Sequence, residues 1–246
     1  MPRGKAPLIR MYPVRLLSEY VDKPTNDIIY RFQVDDKIKY LSAAPGTYAP
    51  NTTPSLPPQD YGRNNAAIAY IGKHGDLKHK FENWRGVREE RLWHRVIIRC
   101  LELEEPERLR LAISAYMDPA TPYYAKIKLF QIIDLENETM VYEILRDTSI
   151  APKFRGHIDE NGRVVGFILE KVESRMPADR DFEACKAVLQ RFHNLGWVHN
   201  NLKKEHFLIR PDGSARLISF GQSRARESNL DVLDEMKELY RIFGRL

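Results

Sequence analysis

The stretch from Asp181 to Gly221 constrains this chain more than any other. Asp181–Leu195 reads as an amphipathic helix, because Phe182, Cys185, Val188, Leu189, Phe192 and Leu195 fall on one face and Gly196 ends it. A polar loop follows at once, His199-Asn200-Asn201-Leu202-Lys203-Lys204-Glu205-His206. Phe207–Arg210 and Ala215–Ser219 then read as a hairpin across Pro211-Asp212-Gly213.

The rest of the chain supplies strands and two more helices. Ile28–Gln33 and Lys37–Leu41 read as a strand pair around Asp35-Asp36. Between Ser42 and Ala67, five prolines (Pro45, Pro50, Pro54, Pro57 and Pro58) mark an extended loop or linker. Val96–Leu103 and Leu109–Tyr116 read as strands about a turn at Glu104-Glu105-Pro106, and Tyr123–Phe130 as a third. Leu135–Arg146 reads as a helix. Ile158–Glu160 and Arg163–Glu170 pair across Asn161-Gly162, the strongest short hairpin signal. A last helix runs from Leu230 to Phe243, with Leu230, Leu233, Met236, Leu239, Tyr240 and Phe243 as its apolar stripe. The order implies an α+β arrangement in two lobes.

Composition narrows the class. The 246 residues suffice for a sizeable core. No stretch approaches the roughly 20 apolar residues that a membrane span needs. The start of the chain has no apolar core or small-residue cleavage site, so the expected compartment is the cytoplasm or nucleus, with no recognisable secretory signal. Cys100 and Cys185 read as two buried thiols. The net charge of +5 comes from Lys and Arg interleaved with Glu and Asp, which favours a solvated surface over a nucleic-acid partner.

The loop and hairpin resemble a kinase catalytic loop, H-x-D-L-x-x-x-N-x-L-[IV], and Ser219-Phe220-Gly221 resembles the D-F-G segment. Ser219 follows Asn201 by 18 positions, a spacing typical of kinases. Glu138-Thr139-Met140-Val141-Tyr142, Ile150-Ala151-Pro152-Lys153-Phe154-Arg155-Gly156-His157 and Gly162-Arg163-Val164-Val165-Gly166-Phe167-Ile168-Leu169-Glu170 are similar to fungal kinase-like proteins related to aminoglycoside phosphotransferases. The resemblance covers about residues 108–246. It implies a two-lobed protein-kinase-like fold with a reduced C-terminal lobe. The expected division is an N-terminal extension over 1–95 carrying the 42–67 loop, an N-lobe over 96–172 and a short C-lobe over 173–246.

The resemblance also implies roles. Lys126 resembles the lysine that pairs with nucleotide phosphates, with Lys128 as the competing choice, and Glu138 the helix glutamate that orients it. Leu169 resembles the back of the nucleotide pocket, and Glu170, Lys171 and Val172 the hinge. The departures fall on the chemistry. Asn201 stands where the family has its catalytic aspartate, and an amide is no useful base near pH 7. His206 stands at the metal-binding asparagine and Ser219 at the metal-binding aspartate, both poor partners for Mg²⁺. No glycine occurs from Val87 to Arg155, and Pro119 and Pro122 stiffen the turn where a phosphate-covering loop belongs.

The expectation is therefore a pseudokinase with no metal cofactor. It would act by binding a protein partner or a small ligand, an adenine nucleotide held without metal among them. The alternative is an atypical ATP-dependent phosphotransferase using other residues. A third reading makes residues 1–95 the working part. His199 is expected to be structural, and a His199–His206 metal site lacks a third ligand. His74-Gly75-Asp76-Leu77 imitates a phosphotransferase signature, but Phe81 stands where it needs Asn. Trp84 and Trp93 are expected to be core anchors.

Overall fold

The computed structural model describes residues 14–22, 25–49, 54, 61, 64–103, 123–127 and 132–245. They fall into two compact units that part between Trp84 and Arg85. The expected strand at Leu109–Tyr116, the turn at Asp118-Pro119 and Lys128 lie outside the described residues.

The first unit is a five-stranded sheet in the order β1 (Val14–Val21), β2 (Ile28–Val34), β3 (Lys37–Ala43), β4 (Ala66–Ile71), β5 (Leu77–Glu82). All neighbours are antiparallel except β3 and β4, which run parallel. A parallel pair needs a long connection, and the proline-rich stretch after Ala43 supplies it. Tyr61 from that stretch packs its ring edge on Phe81 at 5.2 Å. With Tyr30, Phe32, Leu41, Ala67 and Ala69 it forms this unit's core. Trp84 stacks against Tyr40 at 5.3 Å, as its anchoring role requires. His74-Gly75-Asp76 is the turn joining β4 to β5, with Gly75 at φ +79, so the signature mimic is a hairpin turn.

The second unit holds a four-stranded sheet in the order β6 (Ile97–Arg99), β8 (Phe154–Glu160), β9 (Arg163–Glu170), β7 (Tyr123–Ile127). The expected Val96–Leu103 strand is shorter, because the chain turns into a 3-10 helix at Cys100–Glu102 that buries Cys100. β8 and β9 join through Asn161 (φ 59) and Gly162 (φ 82), the doubly left-handed turn that matches strand twist. Val164 to Leu169 are all buried, as a run of apolar residues covered on both faces should be. At Gly166 a Cβ would collide with the backbone carbonyl of Lys126 on β7, so only glycine lets the two strands close.

Helix α1 (Ile132–Ile144) follows β7, and its buried residues include Leu135, Glu138, Val141 and Tyr142. Arg85 to Arg95, assigned by sequence to the N-terminal extension, packs into this unit. The Val87 N–H donates to the Val164 carbonyl at 2.8 Å, Arg88 pairs with Glu136 at 3.0 Å, and the Trp93 indole N–H donates to the Thr139 carbonyl at 3.0 Å. Beyond the sheet come α2 (Phe182–Asn194), β10 (Trp197–Val198), β11 (Phe207–Ile209), β12 (Ala215–Leu217), β13 (Arg224–Ala225) and α3 (Asn229–Ile242). β11 pairs with β12 as the expected hairpin, and β10 with β13.

The α3 stripe differs from its sequence reading. Leu230 is 67% and Leu233 54% exposed. Ser228 starts the helix about two turns before its first buried residue, its side chain accepting from the Leu230 N–H. Glu235, Leu239 and Phe243, spaced four apart, are buried, and Met236 and Tyr240 pack half-buried against the core as expected. Cys100 and Cys185 are both buried and neither is in a disulfide among the described residues. Among the described residues, no helix is long and apolar enough to cross a membrane.

Candidate functional site

The second unit brings Lys126 and Glu138 together. Lys126 leaves β7 and Glu138 leaves the second turn of α1. The Lys126 ammonium donates to both carboxylate oxygens, at 2.9 and 2.7 Å, with both residues buried. A pair this deep lacks the water that weakens surface ion pairs, and each charge depends on the other.

A column of rings runs beside the pair. Phe154 of β8 lies 5.9 Å from Tyr142 of α1, Tyr142 lies 5.3 Å from Phe220, and Phe220 lies 5.5 Å from His199. Their tilted and edge-on angles are those aromatic quadrupoles prefer. The column ties β8, α1, the Ser219-Phe220-Gly221 segment and the loop after β10 into one packed body. Asn137 adds a polar tie: its side-chain amide donates to the carbonyls of Gly221 at 3.0 Å and Ser223 at 2.6 Å. Gln222 reaches back to Asp134 at 2.8 Å.

The loop itself is latched by Glu235 of α3. Its carboxylate accepts the backbone N–H of His199 at 2.9 Å and that of Asn200 at 2.6 Å, and pairs with His193 Nε2 at 2.8 Å. Burial alone would raise the Glu235 pKa, but the bonds from His193 and the two backbone amides outweigh it and hold the carboxyl below its usual value. Sequence reading missed Glu235. Its signal was present: it lies four residues before Leu239 and eight before Phe243, on the inward face.

His199 fills the structural role expected of it. Fully buried, it donates Nε2–H to the Ile218 carbonyl at 2.9 Å, and burial holds the ring below its ordinary pKa. His206 lies 5.3 Å from that ring and donates Nδ1–H to the Asn201 carbonyl at 2.8 Å. Burial, with His199 beside it, brings the His206 pKa down to about 4, so its ring is neutral at pH 7.

Asn201 is exposed. Ser219 is held at φ 72, ψ 49, a left-handed conformation that a serine adopts only when its surroundings over-determine it. Leu169 and Val172 are buried. Glu170 is occupied by the residue before β8: its N–H donates to the Lys153 carbonyl at 2.8 Å and its carboxylate accepts the Lys153 N–H at 3.1 Å.

A Mg²⁺ ion does not fit this set. Asn201, His206 and Ser219 offer an amide, an imidazole and a hydroxyl, and none brings the anionic oxygen that a hard cation selects. Among the described residues, no group of three or more His, Cys, Asp or Glu could hold a metal ion. A cleft of about 930 Å³ lies between the loop and α3, lined by Asn201 and by residues of both charges such as Lys203, Arg224, Glu238 and Arg241. Lys126, Glu138 and Ser219 do not line it.

Comparison with known proteins yields weak likenesses. No protein-family model matches the chain. No curated protein matches it. Among solved structures, the chain is similar to WbdD in complex with the kinase inhibitor LY294002, at 17% identity and a TM-score of 0.40 over 49% of this chain and 34% of that one. It is also similar to the bifunctional kinase-methyltransferase WbdD, at 19% identity and a TM-score of 0.41 over 50% of this chain and 33% of the other. The matched part is thus about a third of the length of those chains, and likeness at this level carries no argument about fold or activity.

Proposed function

We propose that the second unit is a kinase-like phosphotransferase fold kept as a binding module. The observation that carries this is the buried Lys126–Glu138 pair; beside it, Asn201, His206 and Ser219 stand where the resemblance puts the three catalytic polar groups. The order of elements supports it: a lysine strand, a glutamate helix, an antiparallel pair, a second helix, a latched polar loop and a short hairpin. On this reading the molecule acts through a protein partner or a small ligand. The small ligand it suits is an adenine nucleotide bound without metal, its phosphates facing the Lys126 ammonium and its base beside Leu169 and Val172.

The chemistry that remains is recognition. Phosphoryl transfer needs positioned charge on both sides of the transferred group. Lys126 supplies one cation, and no carboxylate stands at position 201 or 219 to orient an acceptor or carry a metal. A second reading, an atypical phosphotransferase, is favoured by the loop backbone alone, since Ser219 keeps its left-handed turn and Glu235 its latch.

Two measurements separate them. Melting temperature is recorded with ATP, with and without Mg²⁺, for the full chain and for Lys126→Ala. The binding reading expects a rise with ATP that does not depend on Mg²⁺ and is lost in the variant. Transfer of labelled phosphate is followed in parallel with protein and small-molecule acceptors. Mg²⁺-dependent turnover that disappears in Lys126→Ala would sink the binding reading and establish the enzyme.

A further inference from the structure

The turn that leaves α1 carries a serine already seated on a guanidinium. Ser149 is exposed, and its hydroxyl oxygen accepts a hydrogen bond from Arg191 of α2 at 2.7 Å. Two residues on, the Ala151 carbonyl accepts from Arg216 of β12 at 2.8 Å. Neither Arg191 nor Arg216 forms an ion pair among the described residues. The carboxylates near Arg216 are already engaged: Glu170 with Arg155 at 3.5 Å and Asp212 with Arg210 at 2.9 Å. Arg210 and Arg191 both lie close enough to Arg216 to repel its charge. Arg191 thus holds the exposed hydroxyl directly and Arg216 the carbonyl two residues on, and a dianion on Ser149 would offset the repulsion between the two guanidiniums.

The local sequence is Arg146-Asp147-Thr148-Ser149, with a cation three residues before the serine. Protein kinases that select basic substrates recognise such charge patterns. We propose that Ser149 is a phosphorylation site and that Arg191 and Arg216 receive its phosphate. In the modifying step, the Ser149 Oγ attacks the γ-phosphorus of ATP held by a separate protein kinase. The bond from that phosphorus to the bridging oxygen of the ADP leaving group breaks, and the hydroxyl proton passes to that kinase's base.

The consequence lies in what the turn connects. The Ile150 carbonyl accepts from the Leu217 N–H of β12 at 2.7 Å, and the Thr148 hydroxyl donates to the Leu145 carbonyl at 2.8 Å. A phosphate bridging Arg191 and Arg216 would clamp the end of α1, and with it Glu138, to α2 and β12 through charge-assisted bonds. Phosphorylation would therefore tighten the helix that holds the buried ion pair.

The test uses the full chain, ATP and a purified kinase that prefers arginine at the minus-three position. One phosphate is expected at Ser149 by mass spectrometry, and none in Ser149→Ala. The phosphorylated chain is expected to melt about 3 °C or more higher, from one to three new charge-assisted bonds. Its phosphorus resonance should titrate with a midpoint below the ordinary value of about 6, because paired guanidiniums favour the dianion. Both gains should vanish in Arg191→Ala and shrink in Arg216→Lys, which keeps the charge but loses the fork. No incorporation at Ser149, an ordinary midpoint with unchanged melting, or gains that persist in Arg191→Ala would overturn the proposal.

Discussion

The Nζ of Lys126 and the carboxylate of Glu138 meet at 2.7 and 2.9 Å inside the second unit, each residue with almost no exposed surface. Removing one partner strands the other as a buried charge, at about 3–5 kcal/mol. Lys126→Met and Glu138→Leu should each lower stability by that order. The double variant Lys126→Met/Glu138→Leu should regain most of it, because two apolar side chains leave no charge unpaired. Chemical denaturation of the four proteins checks the cycle. Additive losses would show that the pair is not coupled as the distances imply.

Glu235 serves two backbone amides and one imidazole at once. Glu235→Ala leaves these donors unsatisfied in a buried setting, a loss of about 3–5 kcal/mol. Glu235→Gln keeps an acceptor and should lose less. Hydrogen exchange at the His199 and Asn200 amides is the specific readout. Both should be protected in the wild type and exchange faster in each variant. Equal exchange rates would show that the latch does not hold the loop.

Acid should weaken the protein in two stages. Burial depresses the His157 and His206 rings to about 4, while in the unfolded chain they titrate near 6.5. Between those values the unfolded state binds more protons. The stability these rings contribute is therefore present above about pH 6.5 and lost as pH falls toward 4, by at most about 1.4 kcal/mol per pH unit for each group. Glu235, held below its ordinary pKa, adds a second loss as pH falls through the carboxylate range. Neither nitrogen of His157 has a hydrogen-bond partner among the described residues. His157→Leu should then flatten the decline between pH 6.5 and 4, read as melting temperature against pH. An unchanged slope would remove His157 from the account.

Gly166 sits where β9 passes the Lys126 carbonyl on β7, and a methyl group there meets backbone on the facing strand. Gly166→Ala should cost about 1–3 kcal/mol by overpacking. It should also displace β7 and so weaken any nucleotide-induced shift in melting temperature. Gly162→Ala, which meets no neighbour but holds φ 82, is the control. It should be destabilising without touching ligand response.

The sequence was most legible where local rules and tertiary packing agreed. Asn161-Gly162 named its own turn, and the face from Phe182 to Phe192 named α2. It was least legible where meaning came from a distance. β4 and β5 are short and mixed in character, and only sheet pairing across the proline-rich connection fixes them. Glu235 looked like one more surface charge on α3 because its partners lie 35 to 42 residues away. Leu230 and Leu233 looked like core because periodicity reports a stripe without saying which side is covered. Arg85 to Arg95 looked detached because nothing in a charged run announces that Arg88 will meet Glu136, 48 residues on. Lys126 and Glu138 stood out only through the resemblance, which left Lys128 as a competing choice, and the 2.7 Å contact pairs Lys126 with Glu138.

The latch under the polar loop ends on main-chain atoms. Glu235 grips the amides of His199 and Asn200, and the side chains at 200 and 201 take no part in its hold. Such a fastening is blind to what hangs from the chain beside it. The residue at 201 can change from acid to amide, or back, while the loop keeps its path. Chemistry at this place is therefore separable from architecture. A lineage could lose a reaction in a few codon changes and keep, almost free of structural penalty, the geometry from which that reaction could be rebuilt.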